Sequence, residues 1–268
     1  MKYFESISPI IRQYNTGEEP VLVECSDARA RVCKYSRSSA IAFKLACEVI
    51  GAELSQAWEL DSPVCDFVHI KPEHVPNYIS PNLFSRSCIG TEFREGVVDI
   101  TSSSLNVVPC TKENIVQLLR IALFDFWIGN EDRNANNANL MYDIQDEKIV
   151  PIGYGCIFNT ATFEFKLSQL TSTDTILYGD LFRHLVNGME VGINKVLSEL
   201  DWLFTYYNNS LSRSKTRLIN ILDLLPTEWN LPKTKVEDKL QELFNPDWIN
   251  GVWENFNECL LENTKNNE

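Results

Sequence analysis

The stretch FDFWIGNEDRNANNANLMYD, residues 124–143, runs from an apolar segment into an Asp-Arg pair followed by Asn134, Asn136, Asn137 and Asn139. Upstream of it, Ile115, Leu118, Leu119, Ala122 and Phe126 recur at the spacing of a helix with one buried stripe. Thr111 offers an N-cap and Gly129 a stop, so residues 130–139 form a polar loop directly behind a core helix. Asn and Asp bond their own main chain and tolerate left-handed backbone, and a polar turn accounts for some of these side chains. It accounts less well for Asp132 and Asn137 together. Asp125 lies among Phe124, Phe126 and Trp127; a carboxylate buried there needs a partner, and Arg133 is the candidate.

Outward from this loop the pattern changes on both sides. ANLMYDI and KIVPIGY read as a small hairpin turning at Gln145, Asp146 and Glu147. Far upstream, PVLVEC (20–25) and ARVCKY (30–35) are β-prone runs around a polar turn, Ser26 to Arg29, which predicts a hairpin. From Ser39 onward Ile41, Leu45, Glu48, Val49 and Leu54 follow helical spacing. VCDFVHIK (64–71) and SCIGTEFR (87–94) predict two more strands, joined by a loop carrying Pro72, Pro76 and Pro81. Beyond about Lys195 the chain reads as separate helices: Trp202 to Tyr207, RLINILDLL, KVEDKLQELF, and one entered at Asn245 and Pro246. The closing ENTKNNE reads as a frayed tail.

Composition narrows the functional classes. With 268 residues, 44% of them hydrophobic, the chain can bury a sizeable core. A balance of 24 basic against 37 acidic residues, net −13, provides no footprint for a phosphate backbone, which argues against nucleic acid and anionic membrane as partners. The eight cysteines form no C-x-x-C pair and several sit in apolar runs, which predicts free thiols in a cytoplasmic protein. The three histidines do not cluster with them as zinc ligands. Neither a signal peptide nor a membrane span is expected.

Taken in order, the chain gives strand, turn, strand with lysine, helix with glutamate, two strands, long helix, Asp-Arg loop, hairpin and helices. That order and the segments RVCKY, CEVIGAEL, GNEDRNANNANL and LLPTEW resemble the HipA-like kinases over about residues 20–260. The resemblance implies an α+β, two-lobed protein-kinase-like fold, with a small β-rich N-lobe over 1–105 and a mainly helical C-lobe over 106–268 holding a catalytic-type loop at 129–139. It implies an ATP-dependent Ser/Thr protein kinase using ATP and Mg2+, with a protein substrate or regulatory partner, in a family that includes toxins paired with antitoxins. Lys34 would bind the nucleotide phosphates and Glu48 would hold Lys34 by an ion pair. Asp132 would orient the acceptor hydroxyl and take its proton, and Asn137 would offer a neutral oxygen to the metal.

Three positions depart from the family pattern. Asn134 stands where a histidine is usual, and the Ser26 to Arg29 turn has no glycine to approach phosphates closely. In VPIGYGCIF, Gly153 stands where the resemblance implies a second metal-binding aspartate. That substitution raises the alternative of a pseudokinase, a regulatory binding module on a kinase fold. A helical interaction protein with no nucleotide site is the third reading.

Overall fold

The computed structural model describes residues 1–37, 42–161, 163–188 and 201–265. Ser39 and Ile41, and the segment from Lys195 to residue 200, lie outside the described residues. The architecture is α+β, with a β-sheet N-terminal part and a mainly helical C-terminal part.

Six strands make the first sheet: β1 (Tyr3–Glu5), β2 (Arg12–Gln13), β3 (Val21–Glu24), β4 (Ala30–Lys34), β5 (Cys65–His69) and β6 (Cys88–Glu92). Their order is β1-β5-β6-β4-β3-β2, antiparallel except for the β1 and β5 pair. Period-two alternation gives this sheet two different faces. Val21, Val23, Cys25, Cys33, Val68 and Cys88 point to one face and are covered by Ile70, Val75, Ile79 and Phe84 from the proline-bearing segment. Cys65, Phe67 and Ile89 point to the other and join the main core with helix α1 (Phe43–Ala57). All eight cysteines are free thiols, and six are buried, filling space as small apolar groups.

A second sheet holds β7 (Val97–Asp99), β8 (Leu140–Asp143) and β9 (Lys148–Pro151) in that order. Behind it runs α2 (Lys112–Ile128), whose cap is the one expected: the Thr111 side chain accepts from the Asn114 amide, and Gly129 ends the helix with left-handed backbone at φ 65°. The remaining α-helices among the described residues are α3 (Ile157–Ala161), α4 (Asp180–Asn187), α5 (Asp201–Leu224), α6 (Lys233–Glu242) and α7 (Pro246–Lys265).

Two expectations for the C-terminal part are corrected. The segments Trp202 to Tyr207 and RLINILDLL belong to one continuous helix, α5, because the polar Asn208, Asn209 and Ser210 between them contain no Gly or Pro to break it. The ENTKNNE segment begins as helix: Asn263 and Thr264 are buried and bond back to Cys259 and Leu260 carbonyls.

Trp58 ties these helices together. Its ring stacks on Trp127 of α2 and meets Phe124, Tyr206 and Tyr207 edge-on. The C-terminus of α1 is held from α5: Arg213 Nε donates to the Ala57 carbonyl at 2.6 Å, and the Tyr206 hydroxyl donates to the Trp58 carbonyl. At its other end, the Ala42 amide donates to the Trp229 carbonyl at 3.2 Å, and Trp229, from LLPTEW, donates through its indole to Ser87 O. Helix α1 is thereby fixed at both ends.

Candidate functional site

Lys34 is the last residue of β4, and alternation turns it away from buried Cys33 toward α1. There its ammonium forms an ion pair with Glu48, which α1 presents from a buried position. The second oxygen of Glu48 accepts from the Tyr154 main-chain amide at 3.0 Å. One carboxylate thus joins the first sheet to the segment following β9. Gly155 permits the approach, since a Cβ there would stand 2.9 Å from Glu48 Oε1.

Another carboxylate, not anticipated from the sequence, reaches the same lysine. Glu18 Oε2 lies 3.2 Å from Lys34 Nζ, and Glu18 Oε1 lies 3.3 Å from Lys44 Nζ on the first turn of α1. Burial works against the Lys34 charge, but Glu48 and Glu18 outweigh it and hold its pKa above the ordinary value. Burial likewise opposes the Glu18 charge, and Lys34 and Lys44 reverse the balance, leaving its carboxyl below the ordinary range. Around Lys44 burial is outweighed in the same way by Cys156, Glu18 and Asp132, so its charged form is favoured.

Strand register separates the Ser26 to Arg29 turn from Lys34. Val21 pairs with Cys33 and Glu24 with Ala30, so the Ser26 to Arg29 turn lies at the far end of the hairpin from Lys34. The loop beside Lys34 is the one between β2 and β3, residues 14–20, and it does contain a glycine, Gly17. Arg37 holds that loop by an ion pair to Glu19 and a bond to the Gly17 carbonyl. A two-residue strand has no periodicity to read, which is why β2 and its loop escape sequence inspection.

The loop behind α2 is organised around Arg133, which is fully buried. Its guanidinium pairs with Asp125, as the sequence suggests, and donates to the Ile152 carbonyl at 2.8 Å. It also lies over the Tyr154 ring, 4.9 Å from the centroid. Burial raises the Asp125 pKa, with Arg133 and the Asn130 amide pulling the other way. The asparagines divide the remaining work. Asn134 shapes the turn, its side-chain Oδ1 accepting from the Asn136 main-chain amide and its Nδ2 donating to Glu131 O. Asn137 is exposed and pairs main chain to main chain with Asn134. Asn139, with left-handed backbone at φ 45°, donates from Nδ2 to Asp132 Oδ2 at 2.9 Å.

The structure therefore brings Lys34 and Glu48 together, and places Asp132 beside Asn139. Gly153, at φ 73°, faces Asn139: a Cβ there would be 3.2 Å from Asn139 Cγ. Asp143 is not placed beside Gly153. It sits at the turn end of the hairpin, opposite Lys148, and caps the Gln145 and Asp146 amides.

A magnesium site uses near-octahedral oxygen ligands, including one or two carboxylates and substrate phosphates. Here the neighbourhood of Gly153 supplies Asp132 and the Asn139 amide, and among the described residues no group of three or more His, Cys, Asp or Glu is arranged to hold a metal. This donor set does not fit the paired ligands of a kinase metal site.

A lysine strand, a glutamate helix, a buried helix, an Asp-bearing loop and a hairpin, in that order, define the protein-kinase class of fold. The model of the HipA-like kinase family matches residues 7–189, more than half of the chain. The chain belongs to the HipA-like kinase family. No curated protein matches it. Among solved structures, the open conformation of CtTel1 is 12% identical, with a TM-score of 0.27, covering 91% of this chain and 12% of that one. The FAT and kinase domain of CtTel1 is also 12% identical, with a TM-score of 0.26, covering 91% of this chain and 22% of the other. The chain thus spans under a quarter of either structure's length. No described helix is long and apolar enough to cross a membrane.

Proposed function

We propose that this HipA-like kinase binds ATP in the cleft between the first sheet and the Asp132 loop, as an ATP-dependent Ser/Thr protein kinase with a degraded metal site. The observation that carries the reading is the Lys34 and Glu48 ion pair, with Glu48 also bonded to the Tyr154 amide. In this reading Lys34 engages the phosphates and Asp132, steadied by Asn139, orients a protein Ser or Thr hydroxyl and accepts its proton. The Asn139 bond to Asp132 supports giving Asn139, rather than Asn137, the work of steadying that aspartate. The lobes divide at Phe93 to Gly96 rather than at 105, which the membership of β7 in the second sheet supports. A protein partner, in the manner of toxin and antitoxin pairs, and a cytoplasmic setting belong to the same proposal.

Gly153 favours a second reading, the pseudokinase. With Mg2+ poorly held, transfer that depends on positioning and charge neutralisation loses orders of magnitude, while nucleotide binding persists. Calorimetric titration of ATP with and without magnesium, alongside a phosphotransfer assay, tests both. The expected result is binding that magnesium barely improves, with little transfer. No ATP binding under either condition would overturn the nucleotide site, and strong magnesium-dependent transfer would overturn the pseudokinase reading.

A further inference from the structure

Four charges meet at the inner end of β4: Lys34 and Lys44 as cations, Glu48 and Glu18 as anions. Their sum is zero. The two carboxylates are held very differently. Glu48 is buried and bonded on both oxygens, to Lys34 and to the Tyr154 amide. Glu18 is 36% exposed, is carried on the loop between β2 and β3, and spans two ammonium groups, one of which is itself 60% exposed. Exposed ion pairs are the weaker kind, so Glu18 is the member of the quartet that can leave.

Resting on the ATP-site reading above, we propose that Lys34 and Lys44 form a metal-independent phosphate site whose resident occupant is the Glu18 carboxylate, and that nucleotide binds by displacing it. A carboxylate that gives one oxygen to each of two ammoniums makes the contacts that two phosphoryl oxygens would make. With Glu18 in place a triphosphate meets a neutral quartet and a facing anion. With Glu18 swung out it meets one net positive charge. The ion pair with Glu18 holds the Lys44 ammonium beside that of Lys34, and the negative charge of Asp132 also reaches it, after those of Cys156 and Glu18, so that Lys44 is within electrostatic range of the Asp132 loop. The Lys44 ammonium therefore supplies part of the positive charge that the residues around Gly153 are not equipped to recruit as a metal.

The test is calorimetric binding in EDTA of three probes, ATP, adenosine and inorganic tripolyphosphate, to the wild-type chain, Glu18→Gln and Glu18→Gln/Lys44→Met, with thermal unfolding as the check on folding. Glu18→Gln should bind ATP and tripolyphosphate at least about tenfold more tightly than wild type, with adenosine unchanged, and the double variant should lose the gain. ATP and tripolyphosphate affinities that do not differ between wild type and Glu18→Gln would overturn the proposal, while wild-type ATP binding would leave the nucleotide site standing. Tripolyphosphate gain without any ATP or adenosine binding would keep the anion site and overturn the nucleotide reading. No binding of any probe to any variant would overturn both. If Glu18→Gln does not fold, Glu18→Ser carries the same comparison.

Discussion

The ring of Tyr154 lies directly on the backbone of Gly51 in the middle of α1. A Cβ at residue 51 would overlap the Tyr154 Cβ and Cγ and stand 2.9 Å from its Cδ1. Glycine inside a helix ordinarily costs about 0.5–1 kcal/mol relative to alanine, so Gly51→Ala would stabilise a helix in isolation. Overpacking costs about 1–3 kcal/mol, and the ring cannot retreat while the Tyr154 amide is bonded to Glu48 and its hydroxyl to Ser62. Gly51→Ala should therefore be net destabilising by about 1–2 kcal/mol in urea unfolding. A gain in stability would show that the segment after β9 is free to move.

Lys34→Met should destabilise by about 1–3 kcal/mol, because it strands a buried Glu48 carboxylate with only the Tyr154 amide as partner. Lys34→Met/Glu48→Gln should recover much of the loss, since no ionised group is then left unpaired. Equal stability of wild type and Lys34→Met would place the pair among solvated surface contacts.

Asn137 and Asn139 should separate cleanly. Asn139→Ala removes the bond to Asp132 and puts alanine at φ 45°, a combined loss of about 1–2 kcal/mol by thermal or chemical unfolding. Asn137→Ala, at an exposed position, should stay within about 0.5 kcal/mol of wild type. The opposite ranking would return the weight to Asn137.

Gly153→Asp places a carboxylate against Asn139 and should raise magnesium-dependent ATP affinity above that of the unmodified chain. The left-handed backbone at φ 73° sets a stability cost of about 1–2 kcal/mol, to be read by unfolding alongside the titration. An ATP affinity with the same magnesium response as wild type would mean that residue 153 does not face the phosphates.

At the far end of the first hairpin, Asp27 grips Arg31 with both oxygens, at 2.7 and 2.9 Å, and the Arg31 hydrogen bond lowers its pKa from 3.8 to about 2. A carboxyl that binds its proton more weakly when folded stabilises above the unfolded value and loses that contribution as pH falls through the folded one. The melting-temperature gap between wild type and Asp27→Asn should be full above about pH 4 and shrink toward pH 2. A gap that does not change over that range would assign the effect to packing.

What could be read in advance follows from which signals are local. The Lys34 strand, the Glu48 helix fourteen residues on, the Thr111 cap, the Gly129 stop and the Asp125 and Arg133 pair all rest on short-range periodicity, capping chemistry or the cost of a buried charge. The parallel pairing of Tyr3–Glu5 with Cys65–His69 has no such signal, because a three-residue strand pairing across more than sixty positions leaves no period. Glu18 was invisible for the same reason: its role depends on a loop after a two-residue strand. Sequence does not single out Asn139, because spacing counts residues, whereas the turn at Asn134 to Asn137 decides which side chain comes back to Asp132.

The anchoring of the α1 C-terminus by Arg213 and Tyr206 reaches across 156 and 148 positions of chain. Both anchors lie beyond residue 189, where the family match stops. Glu48 thus sits on a helix whose C-terminal anchors come from outside the matched region, so the seat of the Lys34 partner is tied to a part of the chain that does not touch the pair. Variation among relatives in this downstream helix would retune the cleft without touching a single residue that lines it.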